Sequence, residues 1–390
     1  GAAQAYHRWI RSAIETNMPY DQFTRELLTS SGSNFRTPQV NFYRALQSQE
    51  PEAIAEVVAL TFLCARTDQW PEDRVKGMAQ FFCKVGYKPT SEWKEEIVFY
   101  DPRREGSGAP NEPVLAVYPN GASVVIPAGS DPRQVFAGWL VDKKNPWFAR
   151  AVSNRIWYWL LGQGIVDPPD DVGADNPPSN LPLLNHLASE LLDADYDLKH
   201  LYSLILNSNV YQLSCIPPSE DSLAGRNFAY YQPRRLDAEV LIDAICQITG
   251  TAETYMSIIP EPFTFLPEHQ RAIALPDGSI TSSFLEMFGR PARDTGLASE
   301  RNNRLTAGQA LHLLNSNHIR NKLKSGPGFK RLVAEAYDSW ETANLLYLTI
   351  LSRRPTEAEL QIGAQLCDYE SGTRDLAWAL INSDEFLFRH

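Results

Sequence analysis

The run Asn145–Leu213 constrains the chain most: it reads as three helices around one acidic, proline-rich loop. Pro146 suits a first helical position after Asn145, because its missing N–H would be unsatisfied there anyway. Phe148, Val152, Ile156 and Leu160 then recur at helical spacing, flanked by Trp147, Ala151, Trp157 and Trp159, and Gly162 and Gly164 end the helix. Asn154 and Arg155 interrupt this apolar surface, as an Asn–Arg pair bonded to nearby backbone or carboxylates would. Loop 167–180 places Asp167, Asp170, Asp171, Asp175 and Asn176 among four prolines, which stiffen it. Clustered carboxylates suit a hard cation, but the spacing departs from a calcium-binding helix–loop–helix. Helix N-termini and the guanidinium groups of Arg155, Arg234 or Arg235 are the competing partners. After the loop, Leu183, Leu184, Leu187 and Leu191 mark one helix, and Leu198, Leu201, Tyr202 and Ile205 the next.

The apolar fraction of 43% and charged fraction of 21% are those of a globular chain, and 390 residues bury one large or two medium cores. A net charge of -11 without a basic block argues against nucleic acid. No apolar run approaches the ~18 residues that cross a bilayer. The five cysteines are scattered, with no C-x-x-C, haem-attachment or zinc spacing, so no metal and no cofactor is expected. They read as small buried hydrophobes.

Upstream, residues 5–17, Tyr20–Leu28 and Glu50–Arg66 carry helical patterns, and a helix from Trp70 has Val75, Met78, Ala79, Phe82 and Cys83 as its stripe. Glu96–Tyr100, Val114–Tyr118 and Ser123–Ile126 are β-rich, and Asn120-Gly121 between the last two signals a hairpin. Downstream, helices are expected at Gln232–Gly250, Ser283–Gly289, Ala310–Leu323, Ser339–Leu351, Thr356–Tyr369 and Thr373–Phe388. The fold class is therefore mainly α, a multi-helix bundle-like architecture with a small antiparallel β insertion near 96–127.

Several blocks together resemble the paired planctomycete and verrucomicrobial domains of unknown function 1549 and 1553, a cytochrome-c-associated family. YHRWIRSAIETNMPYDQFTRELL and GMAQFFCKVGYK lead into NPWFARAVSNRIWYWLLGQGIVDPPDDVGADNPPSNLPLLNHLA. YQPRRLDAEVLIDAI, RPARDTGLASERNNRLTAGQALHLLNS, LSRRPTEAELQ and ALINSDEFLFRH follow in order. The resemblance implies that 1–95 is the C-terminal part of the first domain, its earlier part missing, that 96–130 is a β-rich connector, and that 131–390 is the second domain. Many relatives carry C-x-x-C-H where this chain reads Cys64-Ala65-Arg66-Thr67-Asp68, and cysteines where it reads Gly296–Ser299. The family context implies an extracytoplasmic, envelope-associated protein. Its implied partners are a sulfatase-like protein encoded nearby, a c-type cytochrome, and an anionic glycan as ligand.

No G-x-S-x-G motif occurs, and no serine or cysteine is paired locally with histidine. His312 and His318, six apart, would face different sides of one helix. Asp170 and Asp171 are adjacent and point apart, unlike a glycosidase carboxylate pair, and nothing brings either to Glu239. Arg290, Arg293, Arg301 and Arg304 could cradle a sulfate or carboxylate, or pair with the acidic loop. Candidate binding residues are therefore Asn154, Arg155, Asp170, Asp171, Arg234, Arg235, Arg293 and Arg301. Two readings stay open. The leading one is a non-catalytic binding or scaffolding component of an envelope-associated, polysaccharide-processing complex. The rival is a hydrolase or metal-dependent enzyme, its site at loop 167–176 and segment 290–304.

Overall fold

The computed structural model describes residues 1–104, 112–218, 223–255, 266–276, 280–291, 301–302 and 304–389. The chain divides into two compact units, Gly1–Tyr231 and Gln232–His390.

The first unit begins with helices α1 (Ala2–Glu15) and α2 (Tyr20–Thr29), then strand β1 (Gly32–Ser33) and helices α3 (Asn41–Arg44), α4 (Pro51–Leu63) and α5 (Glu72–Ala79). Strands β2 (Val85–Pro89), β3 (Glu96–Tyr100), β4 (Val114–Val117) and β5 (Ser123–Ile126) follow. Helices α6 (Pro132–Leu140), α7 (Pro146–Leu161), α8 (Leu181–Asp193) and α9 (Leu198–Leu206) complete it. α7 is central, packing against α4, α8 and α9. Its start is capped by Asn145, whose Oδ1 accepts from the Trp147 amide at 3.1 Å. Its end turns through Gly162 at φ +83°, a left-handed conformation that costs glycine least. Phe81, Phe82, Phe136, Phe148 and Ile156 are fully buried in the core around it.

Two details differ from the sequence expectation. The helix expected to run from Trp70 through Cys83 stops at Ala79, and Val85–Pro89 instead pairs antiparallel with Glu96–Tyr100. A five-residue strand partner outweighs weak helical periodicity there, since strand propensity is decided by cross-strand packing. Accordingly β3 belongs to the three-stranded sheet β1-β3-β2, while β4 and β5 form a separate hairpin turning at Asn120-Gly121. The architecture is mainly α with small antiparallel sheets, as expected.

In the second unit, strand β6 (Arg234–Arg235) precedes α10 (Ala238–Thr249), α11 (Ser283–Met287), α12 (Ala307–Asn315), α13 (Asn317–Ser325) and α14 (Pro327–Glu335). Then come α15 (Ser339–Leu351), α16 (Glu357–Cys367), α17 (Gly372–Ile381), α18 (Asp384–Leu387) and strand β7 (Phe388–Arg389), which pairs with β6. Leu241, Ile245, Phe284, Ile319, Leu346 and Ile381 form its core. The single helix expected over Ala310–Leu323 is two, broken at Ser316. That residue leaves α12 with extended backbone, and its hydroxyl accepts from the His318 amide at 2.9 Å to start α13. A serine between two asparagines competes with the helix for backbone hydrogen bonds. Among the described residues no helix is long and apolar enough to cross a membrane.

Candidate functional site

Each candidate side chain is held by local structure. Asn154, fully buried on α7, clamps the loop strand by both ends of its amide. Its Nδ2 donates to the Val166 carbonyl and its Oδ1 accepts from the Val166 amide, both at 2.9 Å. The chain turns back tightly enough that a Cβ on Gly164 would collide with the Val166 carbonyl oxygen. Arg155, one position on, reaches the C-terminal end of α4. Its Nη1 donates to Thr61 O at 2.7 Å, and its Nη2 to Leu60 O at 3.1 Å and to Asp170 Oδ1 at 2.7 Å. The guanidinium thus satisfies helix-end carbonyls, where the helix dipole favours a cation, and neutralises the buried Asp170. The Asp170 side chain is only 5% exposed. The Val172 amide donates to Cys64 O at 2.7 Å, so the acidic loop is tied to the end of α4 a second time.

Cys64 closes α4 in a left-handed conformation, φ +53°, with its thiol donating to Ala151 O at 3.7 Å. Burial pushes that thiol up to about 11, which leaves it unreactive near neutral pH. Asp171 is half-buried, and its backbone carbonyl accepts from Asn176 Nδ2 at 2.9 Å.

The second unit holds the remaining described candidates. Glu239, 4% exposed on α10, receives Arg301 in a bidentate grip, Nη1 to Oε2 at 3.0 Å and Nη2 to Oε1 at 2.8 Å. Arg290 Nε stands 3.3 Å from the same carboxylate, and its Nη1 donates to Ile280 O at 2.7 Å. Burial pushes the Glu239 carboxyl up, but the Arg301 hydrogen bonds and charge, with Arg290 beyond, outweigh it and hold it below 4.5. Arg235 donates to Phe288 O at 2.5 Å, contacts Gln309 Oε1, and lies over the Phe288 ring at 5.6 Å. Arg234 sits beside it on β6, half-buried. Arg293 lies outside the described residues, as do 296–299. The structure therefore joins Arg155 to Asp170 and Arg301 to Glu239, so the carboxylate that holds Arg301 is one that sequence reasoning had assigned to no arginine.

A cavity of about 440 Å³ opens beside the acidic loop in the first unit. Trp70, Arg74, Trp147, Arg150 and Asn154 line it, with Gly173, Asn176 and Pro178 of the loop. Trp147 is 37% exposed, and the Arg74 guanidinium carbon lies 5.9 Å from the Trp70 ring centroid. Several other buried or half-buried arginines have carboxylate partners, Arg133 with Asp131, Arg155 with Asp170 and Arg353 with Glu359 and Glu385, whereas Arg235 is held by a carbonyl and an amide. Among the described residues, Arg74 and Arg150 make no ion pair and no side-chain hydrogen bond. Sequence reasoning passed over these four residues. Their signal was an arginine one helical turn after each tryptophan, Trp70 to Arg74 and Trp147 to Arg150, which is also ordinary surface patterning. Among the described residues no group of three or more His, Cys, Asp or Glu is placed to hold a metal ion.

Fold and site together describe a mainly helical protein in which the buried carboxylates of Asp170 and Glu239 are each paired with arginine. Residues 132–367, more than half of the chain, match the family model described as PSD1, protein of unknown function (DUF1553), and the chain belongs to that family. The matched segment runs through both compact units. No curated protein and no solved structure matches the chain.

Proposed function

We propose that the chain is a non-catalytic binding component whose ligand enters the groove between Trp70, Arg74, Trp147 and Arg150. The observation that carries this is two guanidinium groups, Arg74 and Arg150, that line one groove without a carboxylate partner. An arginine with no carboxylate partner beside a concave aromatic wall can take an anion from outside. Guanidinium groups grip sulfate or carboxylate bidentately, and a tryptophan face offers an apolar surface to the C–H face of a sugar ring. An anionic glycan meets both requirements.

The wider setting in this reading is an extracytoplasmic, envelope-associated complex that processes polysaccharide, with a sulfatase-like protein or a c-type cytochrome as partner. It rests on the resemblance to paired family domains, as does the division of the chain at 95 and 130. The Arg155–Asp170 and Arg301–Glu239 pairs are structural in this reading, and no nucleophile or base is assigned.

Calorimetric titration with sulfated, uronic and neutral oligosaccharides tests it. Arg74→Gln, Arg150→Gln and Trp147→Ala should each weaken binding of a charged oligosaccharide about tenfold or more, a loss of about 1.4 kcal/mol. The melting temperature should stay unchanged. Affinity indifferent to all three variants, or cleavage of the bound oligosaccharide, would refute the reading.

A further inference from the structure

The break at Ser316 brings together two imidazoles that one continuous helix would have kept apart. His312 ends α12 and His318 opens α13, with His312 Nε2 and His318 Nδ1 3.4 Å apart and the rings inclined at 67°. The other nitrogen of His318, Nε2, stands 2.8 Å from Glu253 Oε1, which Lys322 Nζ also meets at 2.6 Å. Phe284 sets its edge against both imidazoles, at centroid distances of 5.6 and 5.7 Å, and Phe288 against His312 at 6.0 Å. Neither ring is deeply buried, so the pair is open to solvent on one side.

Because the Glu253 carboxylate accepts from Nε2–H of His318, that imidazole turns a lone pair at Nδ1 toward His312. A carboxylate behind a histidine is the arrangement that orients imidazole ligands on metals. With bonds of ~2.0–2.1 Å and a tetrahedral angle, two ligating nitrogens stand about 3.4 Å apart. That is the spacing found here.

We propose that His312 Nε2 and His318 Nδ1 form a binding site for one divalent first-row transition metal ion, with Glu253 as the positioning residue. Two neutral nitrogens suit zinc, copper, cobalt or nickel and disfavour magnesium and calcium, which seek oxygen. Lys322 balances Glu253, so the ion meets two uncharged ligands and completes its coordination with water. Binding requires both facing lone pairs, so the proton on His312 Nε2 passes through solvent to Nδ1 of the same ring, and both imidazoles stay neutral.

The test is titration of the tag-free chain with cobalt(II), read by visible d–d absorption, and with zinc(II) by calorimetry. One ion per chain is expected. His312→Gln and His318→Gln should each abolish the cobalt band, and Glu253→Gln should weaken binding about 10–100-fold. His186→Gln and His200→Gln should leave it unchanged. A measurement on the unaltered chain guards against a variant that misfolds: copper(II) should first broaden the imidazole proton resonances of His312 and His318. Lack of saturable uptake, uptake indifferent to both histidine variants, or broadening centred on other histidines would overturn the proposal.

Discussion

At the scale of single residues, several side chains that stand out in the sequence are held by partners within the chain. Arg155 and Asp170 exemplify this, because each neutralises the other while the guanidinium also serves two carbonyls of α4. Removing one partner strands the other charge in a poorly solvated place. Asp170→Ala should therefore destabilise the chain by roughly 3–5 kcal/mol in urea denaturation. The double variant Arg155→Met with Asp170→Leu should cost clearly less than the two single changes added together. An additive double variant would mean that the two groups act independently. The presence of Asn154-Arg155 within an apolar stripe was readable from spacing alone. The identity of their partners was not, since Thr61 and Asp170 lie 94 and 15 positions away in the chain.

Among the elements, α7 shows a boundary that its own residues dictate. Asn145 does more than cap it: its Oδ1 accepts from Trp147 N, while its Nδ2 donates to Trp139 O and Leu140 O at 3.2 and 3.1 Å. Asn145→Ala thus removes the start of one helix and the end of α6 together. A loss of about 1–2 kcal/mol, toward the upper end for a cap, should appear as a lowered urea midpoint with unchanged slope. A loss below about 0.5 kcal/mol would show that the α6 contacts contribute nothing. The other boundaries were less legible. A Trp70–Cys83 stripe at helical spacing ends early because Val85–Pro89 finds its strand partner in Glu96–Tyr100, with Pro89 opposite Glu96 and Val85 opposite Tyr100. Ser316 divides a region whose leucines would serve either one helix or two. Periodicity reports which face is apolar, and is silent on a break that preserves that face.

For the molecule as a whole, acid should be the revealing stress. Glu239 has a folded pKa held below its ordinary 4.5 by Arg301 and Arg290. A depressed carboxylate contributes stability that is fully present above 4.5 and is lost as pH falls through the lower folded value. Glu253, held down by His318 and Lys322 against its burial, acts in the same direction. Glu359 is drawn to about 2 by Arg353, but it is solvent-exposed enough that screening leaves it little weight. The melting temperature of the second unit should accordingly be flat from neutral pH to about 5 and decline below it. Glu239→Gln should lower the plateau and flatten the decline. A decline equally steep in that variant would assign the acid sensitivity elsewhere.

What the sequence determined by itself is local: helix-forming stretches with their caps, a hairpin at Asn120-Gly121, a stiff acidic loop, and kinship with a family. Each depends on neighbours within one or two turns, where spacing and residue type suffice. Only the tertiary structure decided which charges meet, and that decision set the function proposed here. Asp170 went to Arg155 and Glu239 to Arg301, leaving Arg74 and Arg150 beside two tryptophans, while a turn at Ser316 faced His312 toward His318. Charges and lone pairs act through space over a few ångströms, and chain distance carries almost no information about such encounters.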